Sequence, residues 1–303
     1  RRIAVAARYS RAANDSRTAR KQFFACGEKI LTCVARTGRK DPLHCHERWL
    51  EIEERVGARS TFFFCPEQSG RPHFSDCAYR YSDTVRFEGR KCTVADMMRR
   101  TAEMGWEIGL HPFWYSFDNV EEMRAQKSQL EEALGQEVVS VRQHCLHHSM
   151  RDTPRVQAEA GFRFDSTLGF NKNVGFRFGT CYPWKLWDLR SDRQLELLEI
   201  PLVIQDVALL VKLKMGLGVE DAFAYVKLLA SRVADVGGVL TLLWHSDVVD
   251  DPNYVGLYRK VLQHLKEEGA FFGSVRDVGI HWLSSAAQQA EQTTRSSPFL
   301  YVR

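Results

Sequence analysis

No Cys-x-x-Cys pair occurs in this 303-residue sequence, and its eight cysteines (26, 33, 45, 65, 77, 92, 145 and 181) are dispersed. In a chain this large they read as the reduced thiols of a cytosolic protein, not as a disulfide framework. Nothing approaches the roughly 18–20 apolar residues that a membrane span needs, so no span is expected. A secretory h-region is absent as well. No GxGxxG follows the first strand-like run and no Walker sequence occurs, which leaves nucleotide binding unsupported. Acidic residues are scarce at one end only. Residues 1–40 carry eleven Lys/Arg against Asp15 and Glu28, a balance of +9. The whole chain stands at +4, so residues 41–303 sum to −5. The main body is acidic, and no nucleic-acid partner is expected for it. The Arg-rich, acid-poor opening reads as a solvated basic arm ahead of the alternative, an organelle transit peptide.

What is present is a regular alternation. Hydrophobic residues make up 44% of the chain, enough for one large domain. In the arm, Phe23, Phe24, Gly27, Ile30, Leu31 and Val34 fall at helical spacing, which predicts one amphipathic helix. From residue 41 onward strands and helices take turns. "STFFF" (60–64), "WEIGL" (106–110), "VVSV" (138–141), "FRFDSTL" (162–168), "LELLEIPLVI" (195–204), "VLTLLW" (239–244) and "AFFGSV" (270–275) read as strands, with amphipathic helices between them. Asp118 and Glu121 have capping-box spacing ahead of the helix that Gly135 closes. The tail from Leu283 is polar and reads as loose. The chain thus divides into an arm (1–40), a body (41–282) and a tail (283–303). Strand–helix alternation predicts parallel βα units, as an open doubly wound sheet or a barrel. A barrel keeps its chemistry at the C-terminal ends of its strands.

Polar residues stand at just those ends. "EIGL" runs into His111, and "VVSV" into Arg142 with His144 beyond it. "RF" leads to Asp165, "EIPLVIQ" to Asp206 and "LTLLW" to His245. A lone histidine near a core is most often a packed residue, but this many at one relative position converge on a pocket if the units close up. The set suits metal-assisted hydrolysis: imidazole or carboxylate ligands with an open water position, an arginine to orient a carboxylate, and a separate histidine as proton donor.

In order and spacing, "STFFF", "WEIGLHPFWYS", "VRQHCL", "GFRFDSTLGF", "EIPLVI" and "LLWHS" resemble the polysaccharide deacetylases of the NodB homology superfamily, most of all a bacterial branch with divergent motifs. The resemblance covers about residues 41–282. It implies an α/β fold, a deformed seven-stranded (β/α) barrel, and removal of acetyl groups from a carbohydrate by a water bound to a divalent metal, Zn²⁺ by expectation. Carried over, His111 matches a metal ligand, Arg142 the arginine of the third motif, and His245 the general acid. Asp165 falls in the segment that follows the third motif. Two departures stand out. The family's second metal-binding histidine is replaced by Tyr115, which makes His144 the candidate second ligand. The family's Asp pair on the first strand has no counterpart in residues 1–59, so that strand is expected upstream of Arg1, and metal binding by this chain is expected to be weak. Trp114, Tyr115, Trp244 and Asp206 are candidate substrate contacts. Core and loop packing is the plainer reading of the aromatics, as a surface loop is of His147 and His148. His73 reads as incidental. The main alternative is a catalytically inactive glycan-binding protein on the same fold, and a third reading has the arm bind a nucleic acid or an anionic membrane.

Overall fold

The computed structural model describes residues 43, 46–67, 73, 75–77 and 79–296, with side chains to residue 285. The basic arm and its expected helix lie outside the described residues. The body opens with α1 (His46–Glu54) and β1 (Thr61–Phe64), then a hairpin of β2 (Thr84–Phe87) and β3 (Arg90–Thr93). Next come α2 (Val94–Glu103), β4 (Glu107–Leu110), α3 (Val120–Leu134), β5 (Ser140–Val141), α4 (Thr153–Glu159) and β6 (Phe164–Asp165). An antiparallel excursion, β7 (Trp184–Asp188) and β8 (Arg193–Glu199), precedes β9 (Ile204–Gln205), α5 (Asp206–Leu210), α6 (Val219–Val236), β10 (Leu242–Leu243), α7 (Pro252–Glu267) and α8 (Val275–Ser296).

The strands form a six-stranded sheet in the order β1-β4-β5-β6-β8-β7, parallel except for β7 on β8. β9 and β10 make a separate parallel pair. Among the described residues no ladder joins β10 to β1, so the expected seven-stranded barrel is not closed by these strands. The run read as one strand, 195–204, is two: Pro201, which has no N–H to give a ladder, falls between β8 and β9.

Each helix lies where its apolar stripe is covered. α2 buries Met97 and Met98 completely beside Trp106 and Ile108, at roughly 1.5–3 kcal/mol of stabilisation per fully buried large side chain. Ala222 and Val226 of α6 meet Leu257 and Val261 of α7 over Ile204. Trp49 and Ile52 of α1 pack against Tyr258 and Leu262 of α7, with Phe62 and Leu242 beneath. Two expectations are corrected at the C-terminal end. Residues 270–274 are not a strand, and residues 283–296 are the continuation of α8, not a loose tail. Ser274 and Asp277 cap this helix reciprocally: the Asp277 amide donates to Ser274 Oγ at 3.1 Å and the Ser274 amide to Asp277 Oδ2 at 3.2 Å. Its next open amides donate to the sheet, Val275 N to Thr61 Oγ1 at 2.8 Å and Arg276 N to the buried carboxylate of Glu107 at 2.9 Å. α3 also starts differently, with Asn119 as the cap accepting from Glu122 N at 3.1 Å and Asp118 in a preceding 3₁₀ turn.

Candidate active site

The C-terminal ends of β4, β5 and β10 bring three histidines to one place. His111 follows β4, and its ring centroid lies 4.9 Å from that of His144. Protonation of His111 is opposed first by burial and then by His144, with Arg142 and His245 adding to it, so its pKa drops to about 3. Its Nδ1 lies 2.7 Å from the carbonyl oxygen of Arg142. A carbonyl only accepts, so Nδ1 carries the proton and the Nε2 lone pair is left exposed to partners. His144 begins a 3₁₀ turn in which Cys145 and Leu146 take φ of 55° and 54°. Two consecutive non-glycine residues in the left-handed region are costly backbone, and such backbone clusters at functional sites.

Ser75 links His144 to His73. The Ser75 amide donates to His73 Nδ1 at 3.3 Å, so that nitrogen is an acceptor and also takes the Ser75 hydroxyl proton at 2.6 Å. The Ser75 oxygen is then left to accept from His144 Nε2 at 3.0 Å. His73 also stacks on Trp114, at 4.5 Å between centroids, and His147 stacks on the same indole at 4.0 Å. Neither His73 nor Ser75 stood out in the sequence, because their neighbourhood has no periodic signal. Tyr115 turns its ring edge-on to His73 at 5.8 Å. Two imidazoles already occupy the Trp114 ring, which makes it a spacer within the wall of the site more than a bare platform.

Across from this group, His245 is held by Asp206. His245 Nδ1 donates to Asp206 Oδ1 at 2.7 Å, and the His245 amide donates to Oδ2 at 2.8 Å. The Asp206 carboxylate is fully buried, while 41% of the His245 side chain stays exposed. Burial works against the imidazolium, but the Asp206 charge and hydrogen bond outweigh it, and the pKa of His245 is raised. Asp206, expected to meet substrate, spends both carboxylate oxygens on hydrogen bonds to His245 and is fully buried. It sits at the first position of α5, where Val207 N also donates to Oδ1 at 2.6 Å. Trp244, expected to meet substrate, turns into the packing under α7: its Nε1 donates to Tyr254 O at 3.2 Å, and its ring lies 5.0 Å from Tyr258.

Arg142 and Asp165 do lie on adjacent strand ends, since Val141 pairs with Asp165 across β5 and β6. Their side chains engage different partners. The guanidinium donates to Ser166 O and Ser166 Oγ, both at 2.8 Å, and covers the Phe63 ring with its carbon 4.6 Å from the centroid. Burial lowers its pKa to about 10, so it remains a cation at neutral pH. Asp165 accepts from Thr167 Oγ1 and faces Glu199. Burial and the neighbouring Asp165 charge raise the Glu199 pKa well above the usual range, so Glu199 holds the proton of the pair. His148, read as part of a surface loop, is buried with Nε2 3.9 Å from Asp165 Oδ2. This cluster braces β5, β6 and β8 beneath the histidines.

No family model matches the sequence, and no curated protein matches it. Solved structures do. A protein assigned as a polysaccharide deacetylase from Mycobacterium smegmatis superposes with a TM-score of 0.55 at 19% identity, over 86% of this chain and 82% of the other. A second protein so assigned, from Pseudomonas aeruginosa PAO1, gives a TM-score of 0.52 at 17% identity, over 79% of this chain and 72% of the other. This chain has the polysaccharide deacetylase fold. A catalytic zinc site generally takes three protein ligands and a water. The described residues provide two imidazoles, and no group of three or more His, Cys, Asp or Glu side chains among them is arranged to hold a metal ion. The Nε2 of His144 is already bonded to Ser75, and Asp206 is committed to His245. The described set does not fit a catalytic metal by itself. Among the described residues no disulfide joins any two of Cys65, Cys77, Cys92, Cys145 and Cys181. No helix among the described residues is long and apolar enough to cross a membrane.

Proposed function

We propose that this chain is a hydrolase of the carbohydrate deacetylase type, cleaving acetyl groups from a sugar, with His245 as the residue that moves protons. The observation that carries this reading is the Asp206–His245 pair, a buried carboxylate fixing the tautomer of a solvent-facing imidazole. With Nδ1–H on Asp206, Nε2 is the free basic atom. It can take the proton of a water attacking the acetyl carbon. The same proton then passes to the sugar nitrogen or oxygen as the carbon–heteroatom bond breaks, releasing acetate. The raised pKa suits this double duty near neutrality. His111, neutral and with its Nε2 lone pair outward, can accept from a sugar hydroxyl.

A second reading is favoured by one specific observation: no carboxylate among the described residues stands beside His111 and His144 as a third ligand. On that reading the chain binds acetylated glycans without cleaving them. Incubating the protein, with and without added Zn²⁺, with a panel of N- and O-acetylated oligosaccharides separates the two. Loss of acetyl groups by mass spectrometry from at least one glycan supports the hydrolase. Saturable binding with every acetyl group intact supports the binder, and neither binding nor cleavage removes the carbohydrate reading altogether.

A further inference from the structure

Two thiols meet beside the wall of the site. Cys65 directly follows β1 and is buried, at 4% exposure. Two tyrosines from later in the chain hold its backbone. The Cys65 amide donates to the Tyr79 hydroxyl oxygen at 2.8 Å, and its carbonyl oxygen accepts from the Tyr79 and Tyr81 hydroxyls at 3.1 Å and 3.0 Å. Cys77 comes in with them. The Cys65 sulfur is hydrogen-bonded to the Cys77 side chain and to the Cys77 backbone. The backbone bond favours a thiolate, so the Cys77 amide is its donor. The bond to the Cys77 side chain and burial act the other way, and Cys65 keeps its proton.

The segment that carries Cys77 also shapes the site. Asp76, buried, accepts from the His73 amide at 2.7 Å and from the Trp114 amide at 3.0 Å. Ser75 stands between His73 and His144. A covalent tie at residue 77 would therefore fix this wall to the end of β1.

We propose that Cys65 and Cys77 form a redox modification site, closing to a disulfide by exchange with a low-molecular-weight disulfide such as oxidised glutathione. A disulfide sets its sulfurs about 2.05 Å apart and its Cα atoms usually within about 7 Å. Two side chains already in hydrogen-bond contact reach that geometry by rotating about their Cα–Cβ bonds. Exposure assigns the order of attack, because Cys77 is half-buried and Cys65 is buried. The Cys77 thiolate attacks one sulfur of the small disulfide, forming a mixed disulfide and releasing one small thiol. The Cys65 sulfur gives its proton to water, attacks the Cys77 sulfur and releases the second small thiol. Two protein thiols are oxidised, one small disulfide is reduced, and the two protons that the protein loses end on the released thiols. In reducing surroundings the pair stays open, and a rise in small disulfides closes it. The inference concerns the thiols and stands independently of the reaction proposed above.

Mass spectrometry of the full chain tests it. The folded protein is held with oxidised glutathione, remaining thiols are blocked with iodoacetamide, and the chain is cut after Glu67, which puts the two cysteines on separate peptides. The expected product is a Cys65–Cys77 cross-linked pair of peptides that dithiothreitol separates. It should form at least about 10-fold faster in the folded chain than in urea, because the fold holds the sulfurs together. The Cys65→Ser variant, which lacks the resolving thiol, should stop with glutathione on Cys77. Alkylation of both cysteines in the oxidised wild type overturns the inference, and so does Cys77 joined to a different cysteine. Equal rates in the folded chain and in urea overturn it too, as does a folded Cys65→Ser variant that takes no glutathione at Cys77. If that variant does not fold, the wild-type cross-link decides alone.

Discussion

Glu199 and Asp165 show how one proton decides what a buried pair is worth. Asp165 has its pKa raised to about 6 by burial, against the hydrogen bonds that favour its charge, and Glu199 is raised further. The folded chain therefore holds protons that the unfolded chain releases. The sign follows from linkage: stability from this pair is greatest below the ordinary Asp value of 3.8 and falls as pH rises toward about 6. Glu199→Gln mimics the protonated acid, since its amide oxygen can accept from Leu168 N and its NH₂ can donate to Asp165. That variant should unfold within about 0.5 kcal/mol of wild type at neutral pH and lose part of the decline with pH. Glu199→Ala, which strands a buried carboxylate and an amide, should cost about 1–3 kcal/mol. Thermal unfolding of both variants between pH 4 and 7 checks this, and equal losses in the two would reject the shared proton. Neither Glu199 nor its proton was legible in the sequence, where it sits inside an apolar run and reads as an ordinary strand residue. His111, by contrast, was legible because the end of a strand with an apolar run behind it is a position, not only a residue type.

At the scale of elements, the helices were readable and the short strands less so. α6 and α7 keep their apolar period over four or more turns, and both came out where the pattern put them. β5, β6, β9 and β10 are two residues each, since neighbouring loops and helix ends supply the rest of their bonding. α8 is not legible past Leu283 because the sequence there is polar and carries no apolar stripe. Within β4, Gly109 is a packing requirement. A Cβ there would come 2.7 Å from two carbons of the Phe63 ring, over which Arg142 lies. Gly109→Ala should therefore push Phe63 off its site and cost about 1–3 kcal/mol, read as a lowered midpoint of thermal unfolding. A midpoint equal to wild type would mean that Phe63 has room to yield and that Arg142 does not depend on it.

Among the described residues the chain is a mostly parallel α/β sheet whose strand ends bring His111 and His144 together and carry the carboxylate-held imidazole of His245. The fold class was legible because alternation at that spacing has few other solutions. The convergence of His111, His144 and His245 was legible from the same topology. Their division of labour was not, since hydrogen-bond partners such as Ser75 and Asp206 depend on which way loops turn after a strand ends. Asp206 stands out in the sequence by its position, while its bonds to His245 are visible only in the folded chain. The account stands on the pairing of Asp206 with His245, and the direct measurement is the rate of acetate release, on a glycan that the wild type cleaves, for wild type, His245→Gln and Asp206→Asn across pH 5 to 9. The account predicts a loss of at least about 100-fold in His245→Gln. It also predicts a comparable or smaller loss in Asp206→Asn, with its pH profile moved to lower pH because the charge that raises the His245 pKa is gone. Wild-type rates and an unmoved profile in both variants would contradict it.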